Sequence, residues 1–359
     1  MRHQAGTDRA ERVELEFKPD VEVARERWAE FWRGESTRPL LWAVRPKAGL
    51  DPVPKPGCYV CAFGDIEPVI AQAIDWAATH EFLDGAIPGY QVTFAPDHFA
   101  ALLGADLKNA EGSAATNWIQ PFVEDWDDVE IRFRPEGRWW QRTAEVIARF
   151  RRRCDGRLIV YGTHLQGGLD CLVALRGAQG VLSDLLDVPE KVLAALRQVD
   201  RAVDDVRAAL ACALDVETWG SMNRFGMYCR GTIDVPQCDA SCMIGPEMFE
   251  RFALRSLAHE VAGLDASVYH LDGPDAIRHL EALCSLDRLD VVQWVPGAGR
   301  EGDDWSALRR RIDDLGKGQI YQVRENLTAA DVADAWERFT SRKLYAQVRP
   351  DVYDRVRRR

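Results

Sequence analysis

A histidine and an aspartate lie two residues apart in His270-Leu271-Asp272, a segment whose pattern predicts a β-strand. Residues i and i+2 of a strand point to the same side, so this pair can ligate one metal ion or act as an acid–base and its orienting partner. Cys238 or Cys242, one predicted strand earlier, can supply a thiolate as a third ligand. Imidazole, thiolate and carboxylate together suit Zn²⁺. The alternative interpretation is that both cysteines are buried thiols.

Further polar residues fall at or after the ends of other predicted strands. Each one alone is compatible with a structural role, such as capping a helix or bonding within the core. Together they predict one site, because the loops after the strands of a barrel converge on one face. These residues are Arg45, His98, His164, Asn223, Arg224, Asp239, Gln293, Trp294 and Glu325. Trp42, Trp294 and Tyr321 can line an apolar wall of a substrate pocket.

The same residues support a second chemistry, which needs no metal. Arg45 and Arg224 would hold substrate carboxylates, since guanidinium groups pair with them bidentately. Asp239 or Asp272 would stabilise a cationic intermediate. The groups that move a proton would be His164 and His270. A third interpretation is a barrel that binds a ligand without catalysis, because a fold alone does not license a reaction.

Eight short apolar segments predict the strands that position these residues. They cover residues 40–45, 86–94, 158–163, 216–221, 238–244, 267–270, 291–295 and 319–323. Helical patterns follow most of them, over 144–153, 181–213 with a break at Pro189, 246–262, 274–284, 304–315 and 328–339 with Thr328 as its cap. This order favours a single (β/α)8 TIM-type barrel with an N-terminal helical extension beginning at Val21. A doubly wound open sheet is the alternative. The lack of a GxGxxG motif after the first predicted strand disfavours its dinucleotide-binding form.

Composition limits the function classes. The 359 residues carry 46 Lys+Arg against 57 Asp+Glu, a net charge of −11, whereas a nucleic-acid-binding protein normally shows a basic excess. The first 20 residues lack a signal-peptide core, and no segment approaches the ~20 apolar residues of a membrane helix. We therefore expect a cytoplasmic protein with mostly reduced cysteines. The predicted organisation is an irregular N-terminus over 1–20, a barrel over 21–345 and a basic C-terminal tail over 346–359.

Four segments resemble the uroporphyrinogen decarboxylase superfamily, which includes zinc- and corrinoid-linked methyltransferases. The segment 244–249 (IGPEMF) is similar to the family's SPEMF segment, and 269–273 (YHLDG) and 293–297 (QWVPG) resemble other parts of these proteins. Residues 169–190 are similar to the family's helix after the third strand. The resemblance spans about 21–339 and implies a (β/α)8 barrel, in agreement with the strand pattern. The family's barrels often pair, so it also implies a homodimer.

The resemblance implies two activities, and the sequence departs from the motif of each. The family's decarboxylases carry Arg-x-x-Gly-Arg after the first strand, and only Arg45 matches here. Its methyltransferases bind zinc through His-x-Cys and a later Cys. Here His270 matches, Asp272 stands in place of the Cys, and no Cys follows Cys284. Glu325, Cys238 or Cys242 are the substitute ligands that the sequence offers.

The leading hypothesis is a metal-assisted methyltransferase with Zn²⁺, a separate corrinoid protein and a small methylated substrate. The alternatives are a cofactor-free decarboxylase, that is, a carbon–carbon lyase acting on a carboxylated substrate, and a non-catalytic ligand-binding barrel.

Overall fold

The computed structural model describes residues 13–109, 117–322 and 326–358. Its helices are α1 (Val21–Arg33), α2 (Glu67–Ala78), α3 (His98–Leu102), α4 (Arg138–Cys154), α5 (Gly168–Arg176), α6 (Ala178–Asp187), α7 (Pro189–Leu214), α8 (Val216–Trp219), α9 (Pro246–Phe249), α10 (Arg255–Ala262), α11 (Leu280–Cys284), α12 (Ser306–Asp314), α13 (Ala329–Arg338) and α14 (Pro350–Arg357). Its strands are β1 (Leu40–Pro46), β2 (His80–Asp84), β3 (Gly89–Gln91), β4 (Leu107–Asn109), β5 (Asn117–Ile119), β6 (Ile159–Tyr161), β7 (Ser221–Met222), β8 (Tyr228–Cys229), β9 (Ile233–Asp234), β10 (Ala266–Asp272), β11 (Val291–Val295), β12 (Gly318–Tyr321) and β13 (Leu344–Gln347).

The main sheet has seven strands in the order β2–β1–β13–β12–β11–β10–β9. Neighbouring strands are parallel except β2, which is antiparallel to β1. A separate parallel pair joins β3 to β6. Within the described residues no strand ladder connects this pair to the main sheet. The fold is therefore mixed α/β with a parallel sheet, and the closed eight-stranded barrel expected from sequence is not shown.

Six of the eight predicted strands contain an observed strand. Those over 40–45, 267–270, 291–295 and 319–323 correspond to β1, β10, β11 and β12, and those over 86–94 and 158–163 contain the shorter β3 and β6. The central parallel strands are almost wholly buried, which explains their near-continuous apolar sequences. The strand pattern from sequence does not include β2 or β13.

Two predicted strands are wrong. Residues 216–221 form α8 and only the first residue of β7, because Asp215 ends α7 in a left-handed conformation and a second helical turn follows at once. Residues 238–244 contain a 3-10 helix over Asp239–Met243, and the strand lies earlier, at β9. Pro236 lies two residues after β9 and has no N–H to donate to a ladder, so β9 does not continue through it.

The predicted helices are largely confirmed. The break predicted at Pro189 separates α6 from α7, and the proline occupies the first turn of α7, where an N–H has no helical acceptor. Thr328 and Asp331 form a reciprocal capping box at the start of α13. The predicted helix over 246–262 is α9 and α10 joined through a π-helical turn at Glu250–Leu254. No helix in the described part of the chain is long and apolar enough to cross a membrane.

Both end segments of the described chain contact the sheet. Val13 and Leu15 are buried, and the Lys18 ammonium donates to the carbonyl of Phe82 at 2.8 Å. At the other end, β13 pairs with both β1 and β12. The segment predicted as a basic tail therefore begins inside the sheet, and the domain boundaries stay a prediction.

Asp84 joins the first helix to the first two strands. It ends β2 with a φ of 52°, and its carboxylate accepts from Arg27 at 2.9 Å, from Arg38 at 2.7 Å and from the Leu41 N–H at 3.0 Å. Its side chain is only 4% exposed. A buried carboxylate with three such partners stabilises the fold only as a complete set, because loss of one member leaves charges unpaired.

Replacing Asp84 with Ala is expected to lower the free energy of unfolding by about 3 kcal/mol, because two partly buried guanidinium groups lose their partner. Asp84→Asn is expected to lose less, since Asn tolerates a positive φ and retains an acceptor. Urea unfolding monitored by circular dichroism measures both. The control Asp106→Ala removes an exposed pair with Lys108 and should change stability by less than about 1 kcal/mol. Equal losses for Asp84→Ala and the control would contradict this role.

Candidate functional site

His270 and Asp272 lie in the last three residues of β10, at the carboxyl end of the parallel sheet. The register sets His270 opposite Gln293 of β11, and the His270 Nδ1 contacts the Gln293 Oε1. The Gln293 amide is fully buried and its Nε2 donates to the Trp294 carbonyl at 3.2 Å, which fixes the oxygen toward the histidine. An amide oxygen only accepts, so in the neutral imidazole Nδ1 carries the proton and Nε2 carries the lone pair. The Nε2 lies 3.9 Å from Asp272 Oδ2.

Asp239 reaches the same place from the 3-10 helix that follows β9. Asp170, in the first turn of α5, accepts the backbone N–H of Asp239 at 2.9 Å and that of Ala240 at 3.0 Å. Gln237 donates to both carboxylates, at 3.4 Å to Asp170 and 3.0 Å to Asp239. Asp170 thus holds the turn that presents Asp239.

One ligand atom each from Asp239, His270 and Asp272 lies within 4.8 Å of the others. We call these three residues the triad. Asp239 is exposed, but partial desolvation of its carboxyl and the nearby charges of Asp170 and Asp272 raise its pKa to about 7. Withdrawal from water also raises the pKa of Asp170. A cation placed among these groups would relieve the repulsion between carboxylates that the fold holds together.

The two cysteines expected as ligands do not join the triad. Cys238 is buried, and burial raises the pKa of its thiol well above the ordinary range. Cys242 is exposed on the 3-10 helix, and partial desolvation, followed by the charge of Asp239, raises the pKa of its thiol. The donor set in the described chain is one imidazole and two carboxylates. Glu325, the other expected ligand, lies outside the described residues.

A second group of predicted residues lies beside the triad. The Arg224 Nη1 is 3.1 Å from the His164 Nε2, and the guanidinium lies over the Phe225 ring. The Phe225 ring centroid is 6.5 Å from that of His270. Among the charged groups around Arg224, Asp239 has the largest electrostatic effect on the pKa of the guanidinium. Burial and the neighbouring guanidinium lower the pKa of His164 well below its ordinary value, so this imidazole is neutral.

Asn223 shapes the turn that carries Arg224. Its Oδ1 accepts the backbone N–H groups of Phe225 at 3.0 Å and Met227 at 3.2 Å. Gly226 completes the turn with a φ of 72°, and a Cβ there would lie 3.1 Å from the Trp42 indole nitrogen. Trp42 therefore packs against the turn backbone, where only glycine fits without strain.

Arg45 and His98 make no hydrogen bond or ion pair with this region in the described chain, although His98 lies near enough to His164 to affect its pKa. The Arg45 guanidinium pairs with Glu81 at 2.7 Å and with Asp354 of α14 at 3.3 Å. His98 is fully buried, stacks on Phe94 and bonds Thr143 at 3.0 Å. Burial lowers the pKa of His98 to about 3.

The predicted aromatic wall is divided in the same way. The Trp294 ring packs edge-on against Trp305 with centroids 4.9 Å apart, and is almost wholly buried. Tyr321 stacks on Phe339, with the Arg309 guanidinium 3.8 Å from its ring centroid. Trp42 alone of the three packs against the Arg224 turn.

Sequence reasoning missed Asp170 and Gln237, the residues that position Asp239. Asp170 follows Gly167-Gly168 at the start of a predicted helix, which reads as an ordinary acidic first-turn residue. Its bonds to residues 239 and 240 are non-local, so no spacing rule identifies them.

Comparison with known proteins gives a likeness of fold. The solved structure of a methyltransferase from Methanosarcina mazei superposes with a TM-score of 0.57, covering 91% of this chain and 93% of that one, at 11% sequence identity. No protein-family model matches the sequence, and neither does any curated protein. At this identity the likeness shows a shared fold alone.

The crowding at Asp239 predicts a stability that depends on pH. Its pKa in the folded chain lies above the ordinary 3.8, so the folded state loses stability as the pH rises from about 4 through 7 and the carboxyl ionises. Asp239→Asn removes that charge. In EDTA, the variant should exceed the wild type in melting temperature by more at pH 8 than at pH 5.

Differential scanning calorimetry at the two pH values measures this difference. The control Asp106→Asn alters an exposed aspartate paired with Lys108, and its melting-temperature difference from the wild type should not be larger at pH 8 than at pH 5. An advantage of Asp239→Asn that is the same at pH 5 and pH 8 would show that the Asp239 carboxyl is not crowded.

Proposed function

We propose that this chain is a metal-assisted methyltransferase that takes a small methylated substrate and works with a separate corrinoid protein. The observation that carries the proposal is the triad: three donor atoms within 4.8 Å at the carboxyl end of the parallel sheet. The likeness of fold to a methyltransferase and the sequence resemblance to a superfamily with zinc- and corrinoid-linked members support the same activity.

The donors of the triad suit Zn²⁺. Imidazole nitrogen and carboxylate oxygen are both zinc ligands, and a catalytic site uses three protein ligands and leaves a position for the substrate. His270 would bind through Nε2, because Nδ1 is held by Gln293. Asp239 and Asp272 would supply oxygen, and Zn²⁺ would act as a Lewis acid toward the heteroatom that accepts or releases the methyl group.

The chain's own residues perform the positioning. Gln293 fixes the orientation and tautomer of His270, and Asp170 fixes the turn that bears Asp239. Arg224 adds a positive charge near the carboxylates, which offsets part of their negative field. The Phe225 ring beside His270 supplies an apolar surface for a methyl-bearing substrate.

The alternative of cofactor-free decarboxylation needs two arginines at the substrate. Arg45 is held by Glu81 and Asp354, so the described structure places only Arg224 near the triad. This arrangement favours methyl transfer over that alternative. A non-catalytic barrel has no need of the crowded Asp239, whose repulsion reduces stability.

Elemental analysis of tag-free protein tests the metal. The wild type is expected to carry about one Zn per chain, and His270→Ala to lose it, because three ligands rarely hold zinc once one is removed. The matched control is His259→Ala, which changes an exposed histidine paired with Asp204 and should retain the metal. Zinc retained in His270→Ala, or no metal in the wild type after growth in zinc, would refute the site.

Methyl transfer is measured with methylcobalamin as the donor and a panel of small thiols as acceptors, by the loss of methylcobalamin absorbance. We expect turnover in the wild type and in His259→Ala, and none in His270→Ala. If the protein binds zinc but transfers no methyl group either from or to cobalamin, the metal site stands and the methyltransferase assignment is overturned.

A further inference from the structure

A cavity lies where the predicted fourth strand does not form. Residues 216–221 form α8 and the first residue of β7, and β7 pairs only with β8, so no strand ladder joins β6 to β9 in the described chain. The cavity lies beside α7 and opens to solvent, and its accessible volume is about 60 Å³. At about 10–15 Å³ for each water-sized group, this volume holds the few non-hydrogen atoms of a short organic acid.

One side of the cavity is apolar. It is lined by Leu210 and Leu214 of α7, by Val216 of α8, and by Met222 and Ile233 of the short strands. An apolar lining favours a ligand with a hydrocarbon part, because burying that part removes it from water.

The other side carries hydrogen-bond donors. His164, Asn223 and Arg224 all line the cavity. The His164 Nε2 faces a guanidinium nitrogen, which can only donate, so Nε2 accepts and the neutral ring carries its proton on Nδ1. That Nδ1 is buried and has no hydrogen-bond partner in the described structure.

Two further hydrogen-bond donors beside the cavity are also buried and without a partner in the described chain. The Asn223 Nδ2 and the Arg224 Nη2 are buried, and neither has a partner among the described residues. Exchanging the oxygen and nitrogen of the Asn223 amide would not give the nitrogen a partner, because the oxygen's present position accepts two backbone N–H groups. Buried donors without acceptors are costly, so three of them around one cavity indicate a ligand rich in acceptors.

We propose that this cavity binds the carboxylate of a small organic acid, with His164, Asn223 and Arg224 as donors and the apolar lining around its hydrocarbon part. A carboxylate has the acceptor capacity for three donors and pairs favourably with a guanidinium. The site adjoins the triad through Arg224 but shares none of the triad's three residues, and it does not rest on the proposed methyl transfer.

The charges that face the cavity admit an anion. Arg224 and Arg207 are cationic, and Asp234 is the one carboxylate among the described lining residues. Both Asp234 oxygens are occupied, one by the Val235 N–H at 2.7 Å and the other by the Leu165 N–H at 3.1 Å. The lining therefore keeps a net positive charge with Asp234 ionised.

Isothermal titration calorimetry with butyrate and with 1-butanol tests the site, because the two probes share a hydrocarbon part and differ in the carboxylate. The titrations use the full chain in EDTA at pH 7.5, so a metal at the triad cannot bind the acid. We expect saturable binding of butyrate at one site, at least about tenfold tighter than that of butanol.

Asn223→Asp is the diagnostic variant. The new side chain keeps an oxygen for the two backbone N–H groups of the turn, but replaces the free donor by a negative charge facing the ligand. Butyrate affinity should fall at least about tenfold. The matched control, Asn109→Asp, makes the same charge change at an exposed position of β4 and should bind butyrate as the wild type does.

The wild type alone keeps the proposal falsifiable if Asn223→Asp fails to fold. In ¹⁵N NMR, His164 should show the Nδ1-protonated tautomer, and its Nδ1 resonance should shift on addition of butyrate, with assignment by His164→Gln. Equal affinity for butyrate and butanol, no binding of either, or an unchanged affinity in Asn223→Asp would overturn it. Zinc analysis is independent of these outcomes, so failure here and failure at the triad are distinguishable.

Discussion

The acceptor capacity of one carboxylate, that of Asp170, organises the candidate site. Its two oxygens accept two consecutive backbone N–H groups and a side-chain amide from the segment after β9. Because these bonds take the N–H groups of residues 239 and 240, that segment coils into a 3-10 helix and brings Asp239 to the end of β10. The bonds also favour the ionised form of Asp170, against the desolvation that raises its pKa. A side chain on one helix thus determines both the backbone path and the charge density of a loop far away in sequence.

The two neighbouring sites solve opposite electrostatic problems. At the triad the fold concentrates negative charge, which contributes to the raised pKa of Asp239. Around His164 and Arg224 the fold concentrates donors, and burial keeps the imidazole neutral. Arg224 lies between the two, since it contacts His164 directly and is influenced electrostatically by Asp239 and Asp272. Each region is locally unfavourable by itself, which is a common property of sites that are built to receive a charged ligand.

The sequence predicts what depends on local pattern. The i, i+2 spacing of His270 and Asp272 places both on one side of β10, and the structure brings their ligand atoms together. The break at Pro189 and the cap at Thr328 are confirmed because they depend on a few adjacent residues. The predictions that are wrong depend on non-local contacts or on neighbouring elements. The residues 216–221 fit a strand or a helix equally well, and they form a helix because α7 ends just before them at Asp215. The segment 238–244 has a strand-like composition, but Asp170 accepts two of its backbone N–H groups and the segment forms a 3-10 helix instead. Arg45 pairs with Asp354, which lies on α14, a helix that the sequence did not predict.

The position of β13 has a consequence for how the sheet forms during synthesis. It is the last strand in the described chain, yet it lies between β1, the first, and β12, so it alone joins the N-terminal pair of strands to the rest. Until residues 344–347 leave the ribosome, β1 with β2 and β9 to β12 are separate pieces with exposed parallel edges. Such edges pair with other chains when left open. The pair β1–β2 is therefore made long before its partner β13, and joining the two pieces of the sheet is a long-range event that makes folding slow relative to a protein of local contacts.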